Sequence, residues 1–131
     1  VKALVLTLKI LAPLFLAVAA VHLAFGTNAE VMLGANLSPE ALADPALDSQ
    51  NRFYGVAFSI YGVLLWLCAS DLSRYATVLR CTLWVFFAAG VARLFSIATH
   101  GLPPPLIVLL LVVELVAPLV LLVWQSKVVR K

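Results

Sequence analysis

The segment PLIVLLLVVELVAPLVLLVW, Pro105–Trp124, is twenty residues long and contains a single charge, Glu114. About 20 apolar residues in helical form cross the roughly 30 Å hydrocarbon core of a bilayer. Lipid offers no hydrogen bonds to a bare backbone, so a segment of this kind spans a membrane as an α-helix. Three further stretches have the same character: Ala3–Phe25, Phe53–Ser70 and Tyr75–Thr99. Across all 131 residues, 64% are hydrophobic and 11% charged. Soluble domains hold about 45–50% apolar and about 25% charged residues. A soluble chain this short has too much surface for its volume to hide such an excess. The expected fold is all-α: one integral membrane domain over residues 1–131, a four-transmembrane-helix bundle.

The first stretch also resembles a signal peptide, with Lys2, an apolar run and the small residues Ala17-Val18-Ala19. The run continues through Phe25, which favours a retained helix. The connection Gly26–Asn51 has helix signals of its own. Ser38-Pro39-Glu40 supplies a cap, a proline at the first helical position and an acid in the first turn. Asp44-Pro45 repeats the device, and Asp48 or Ser49 could cap the second membrane helix. Short helical segments are expected here, lying over the mouth of the bundle. Pro13 and Pro118 fall inside membrane helices and should bend them.

Charge sets an expected orientation. Lys2, Lys9, Arg74, Arg80, Lys127, Arg130 and Lys131, seven of the nine basic residues, fall on the side of the termini. Glu30, Glu40, Asp44 and Asp48 fall on the other. The positive-inside rule places both termini in the cytoplasm and the acidic connection outside. The same pattern accounts for the +3 net charge without nucleic acid, since no aromatic-interleaved basic stretch exists. Cys68 and Cys81 show no CxxC or metal spacing and read as small apolar side chains.

Charges inside hydrocarbon are rare and mark functional or structural sites. Arg93 lies about 8 residues before Gly101, roughly 12 Å below the outer end of its helix. Glu114 lies about 11 residues after Pro103, roughly 16 Å down the next helix. Their depths match closely enough for the two to pair. Arg52, Gly55, Ser59, Gly62 and Trp66 share one helix face, and Arg93, Ser96 and His100 share another. If both faces turn inward, a polar chamber forms in the outer half, lined by His22, Asn51, Arg52, Ser59, Arg93, Ser96 and Glu114. Such a cluster can serve helix assembly, bind a ligand or carry protons. No metal site, phosphate-binding loop or nucleophile motif is present, and no cofactor is implied.

The strings HLAFG (22–26), NRFYGVAFSIYG (51–62), GVARLFSIATHGLPPPL (90–106) and VVELVAP (112–118) resemble a bacterial family known as domain-of-unknown-function family 4345. The resemblance spans nearly the whole chain. It implies a small four-helix membrane protein, distantly similar to the DoxX-like membrane proteins; the expected location is the bacterial cytoplasmic (inner) membrane. It also implies that His22, Arg52, Arg93 and Glu114 are the characteristic polar residues. No activity comes with it. The first functional expectation is a non-enzymatic bundle that binds a protein partner, a second copy or an apolar ligand such as a lipid or quinone, for instance as an accessory subunit. The second is a redox or lipid-modifying membrane enzyme acting in the outer chamber. The third is a small transporter, weakened because Glu114 has a neutralising arginine beside it.

Overall fold

A computed structural model describes residues 1–129. Arg130 and Lys131, counted above among the basic residues, lie outside the described residues. Six helices follow one another: α1 Lys2–Phe25, α2 Asn28–Met32, α3 Pro39–Ala43, α4 Pro45–Ser70, α5 Ala76–His100 and α6 Pro105–Val129. No strand occurs among the described residues. Helices α1, α4, α5 and α6 are long and apolar enough to cross a membrane. The short α2 and α3 occupy the long first connection, where helix signals were read.

The second long helix starts eight residues before the Phe53 expected from hydropathy. Asp44 is the reason. Its Oδ1 accepts hydrogen bonds from the backbone amides of Ala46 (2.7 Å) and Leu47 (3.3 Å). Pro45 stands at the first helical position, where its missing N–H costs nothing. Asp48 therefore lies inside the helix and does not cap it. Ser38 caps α3 in the same manner, its hydroxyl accepting from the Ala41 amide at 3.2 Å. The Glu40 carboxyl in that first turn is held below its ordinary pKa, chiefly by its own backbone amide and then by Ser38. Gly26 and Gly101 end α1 and α5 with φ of 55° and 85°, a region that side chains with a Cβ rarely adopt.

The long helices associate as two pairs. α1 packs along α4, α5 packs along α6, and contact between the pairs is sparse. The first pair is close because Gly55 and Gly62 present no side chain to α1. A Cβ on Gly62 would sit 2.6 Å from the Ala12 carbonyl oxygen, and one on Gly55 would overlap His22. The pairs meet near the chain termini. There Leu4, Leu8, Ala12, Leu65, Cys68, Ala69, Leu72, Leu79, Leu83 and Leu121 form one buried cluster. Gln125 fastens the same end, its amide donating to the Ala76 carbonyl at 2.6 Å. Toward α2 and α3 no such core joins the pairs, and a cavity opens between them.

Candidate functional site: a chamber between two helix pairs

Arg93 and Glu114 meet across α5 and α6. Nε of Arg93 donates to one carboxylate oxygen at 2.6 Å and a terminal guanidinium nitrogen to the other at 3.1 Å. This two-bond geometry fits the planar guanidinium to the carboxylate and is stronger than a single contact. Gly90, one turn from Arg93, allows it: a Cβ there would lie 3.1 Å from Cβ of Glu114. The Glu114 side chain is only 7% exposed, so the pair answers the cost of a lone carboxylate in an apolar setting. Pro118 has no N–H, so the Glu114 backbone carbonyl loses its helical donor as well.

A second pair ties the lid, the connection that bears α2 and α3, to α1. Nδ1 of His22 lies 2.9 Å from the Val18 carbonyl, and Nε2 lies 3.4 Å from a carboxylate oxygen of Glu30 on α2. Both ring nitrogens thus face oxygen atoms of the protein. A third pair anchors the turn between α1 and α2. Arg52 donates to Asp48 through Nε at 2.8 Å and also to the carbonyls of Leu23 and Ala24. Asp48 in turn accepts from the Thr27 amide at 3.3 Å. The guanidinium therefore caps the last carbonyls of α1, which otherwise lack donors.

Between the helix pairs lies a cavity of about 500 Å³. Phe15, Phe58, Tyr61 and Phe86 cluster in its wall, with ring centroids 5.2–5.6 Å apart, and Leu11, Leu65, Thr82, Leu83 and Leu121 line it nearer the chain termini. Aromatic contacts at that spacing are favourable beyond simple burial. Arg93 and Glu114 stand in one wall, and His22, Glu30, Gln50 and Asn51 stand toward the lid. Most of the remaining wall is aliphatic, with Leu14, Val18, Leu110 and Val113 among its members. A largely apolar concavity with a few convergent polar groups is the usual form of a small-molecule site.

Of the residues expected to line a chamber, His22, Asn51, Arg93 and Glu114 line this one. Arg52, Ser59 and Ser96 do not, and the reason is rotational. The face of α4 bearing Arg52, Gly55, Ser59 and Gly62 is the face that packs on α1. The adjoining face, Asn51, Tyr54, Phe58, Tyr61 and Leu65 at spacings of 3 and 4, reaches the cavity. Ser96 is exposed on α5. Glu30, Gln50 and Tyr61 were not foreseen as chamber residues. Glu30 carried a signal, being an acid just past the end of a helix whose last turn holds His22. Cys68 and Cys81 are unpaired, one buried and one exposed. No cluster of metal-ligating side chains occurs among the described residues.

A family model described as "Domain of unknown function (DUF4345)" matches residues 3–125. No curated protein and no solved structure gives a significant match.

Proposed function

The chain belongs to the DUF4345 family, and on that premise, which names no activity, we propose that it is a non-enzymatic membrane protein that holds a small apolar ligand between its two helix pairs. The observation that carries this reading is the cavity of about 500 Å³ with its aromatic cluster and the Arg93–Glu114 ion pair in its wall. Ligand sites commonly occupy about 300–1,000 Å³ and carry few polar groups. A small molecule is favoured over a protein partner because side chains of all four long helices converge on the cavity. A docking helix would need a continuous groove along the bundle. The membrane is taken to be a bacterial cytoplasmic membrane, with the chamber in its outer half.

Native mass spectrometry of the protein released from membranes in mild detergent tests the proposal. The expected result is one bound small molecule per chain. It should be lost in Ala117→Trp, which fills the chamber wall, and kept in Phe95→Ala, which alters a side chain 71% exposed outside it. Bare chain alone from the unaltered protein, or a bound molecule that Ala117→Trp leaves in place, would overturn it.

A further inference from the structure

The chamber wall leaves no cation without a carboxylate partner, and this selects among the molecules a bilayer can deliver to it. The Asp, Glu, His, Lys and Arg side chains in its wall are His22, Glu30, Arg93 and Glu114 among the described residues. Arg93 spends two of its three nitrogens on Glu114, and His22 faces Glu30. With an imidazolium the wall sums to zero; with neutral His22 it carries one negative charge. In neither state is a cation left over for an anionic head group. An entering carboxylate would have to displace Glu114 from Arg93 and strand it, 7% exposed, without a counter-charge. An ammonium placed at this pair would meet Glu114 already neutralised and Arg93 beside it as a like charge, and the other carboxylate of the wall, Glu30, faces His22.

Hydrogen bonding narrows the choice further. Arg93 can only donate, so an occupant beside it must accept. A neutral oxygen in the occupant can accept from Arg93 without bringing a charge. Toward the chain termini the wall is aromatic and aliphatic carbon apart from Thr82. Resting on the ligand-binding reading above, we infer that the occupant is an uncharged amphiphile with a hydrogen-bond-accepting oxygen in its head and a hydrocarbon body. The head lies at the Arg93–Glu114 pair and the body lies along the aromatic cluster.

The full chain in phosphatidylcholine nanodiscs at pH 8 provides the test. Two diazirine probes of equal chain length are compared, a monoacylglycerol and a fatty acid, and cross-links are mapped by peptide mass spectrometry. The monoacylglycerol is expected to label Phe15, Phe58, Tyr61 or Phe86 about tenfold more than the acid, the factor that 1.4 kcal/mol of discrimination gives. Unlabelled monoacylglycerol should compete this labelling away. Equal labelling, or labelling led by the acid, would overturn the ligand class and leave the ligand-binding reading standing. Labels confined to lipid-facing side chains such as Phe95 and Val120, with either probe, would overturn both. Glu114→Gln adds a second arm, because Arg93 then has no counter-charge and the acid should gain about tenfold relative to the monoacylglycerol. An unchanged preference in that variant would refute the charge-balance argument.

Discussion

Arg93 and Glu114 lean on each other unequally, because the glutamate side chain is 7% exposed and the arginine side chain 39%. Removing the arginine strands the deeper charge, whereas removing the carboxylate strands a group that water in the chamber can reach. Arg93→Ala is therefore expected to cost about 3 kcal/mol, at the lower end of what breaking a buried pair costs. Glu114→Gln should cost less. The double change Arg93→Met with Glu114→Leu should fall within about 1 kcal/mol of the native protein, since it removes both charges together. Denaturant titration in detergent micelles would check the series, and a double variant as weak as Arg93→Ala would contradict the pairing energetics. This pair was legible in the sequence because a charge within an apolar run needs a partner, and helical rise set the two at similar depths. Arg52 was not legible as a cap. Its partners are backbone carbonyls of Leu23 and Ala24 on another helix, and no side-chain pattern encodes them.

Helix α4 shows how spacing reveals a face without revealing what the face meets. The periodicity of Arg52, Gly55, Ser59 and Gly62 reads equally well as a chamber wall or as a packing seam. Small residues bring helices together in membranes, so the glycines drew α1 onto this face and turned Asn51, Tyr54, Phe58 and Tyr61 toward the cavity. Composition favoured the seam; the chamber assignment of Arg52 and Ser59 gave it too little weight. Gly55→Ala and Gly62→Ala are accordingly expected to destabilise the bundle by about 1–3 kcal/mol, the usual range for overpacking. Gly55→Ala should lie toward the upper end, since its Cβ would overlap the side chain of His22 next to the helix backbone. Thermal unfolding in detergent would read both. A neutral result at Gly55 would mean that α1 and α4 are not held together at this contact. The early start of α4 was half-legible: Asp44-Pro45 was recognised as a helix start. Hydropathy placed the span later because Asp48, Gln50, Asn51 and Arg52 are polar.

At the scale of the whole molecule, the two helix pairs are joined firmly at one end and part at the other. The described basic residues follow the same division. Lys2, Lys9, Arg74, Arg80 and Lys127 lie toward the closed end, where Lys9 also sits 5.9 Å from the Trp66 ring centroid. Glu30, Glu40, Asp44 and Asp48 lie toward the open end, and Arg52, the cation among them, is tied to Asp48. Because lysine and arginine near span ends are retained in the cytoplasm, the closed end should face inward and the chamber outward. The acidic residues are a weaker guide, since Asp and Glu contribute little to the rule. Asp71 at the closed end illustrates this, accepting a turn hydrogen bond from the Arg74 amide at 3.0 Å. With Cys68 and Cys81 replaced by alanine, single cysteines at Asn36 in the α2–α3 connection and at Ser73 between α4 and α5 report the two sides, both positions being exposed. A membrane-impermeant maleimide applied to intact cells, with the outer membrane opened where one exists, should label Asn36→Cys. It should reach Ser73→Cys only after the cytoplasmic membrane is broken. The reverse order would put the chamber in the inner half of the bilayer, where a ligand would enter from the cytoplasmic leaflet.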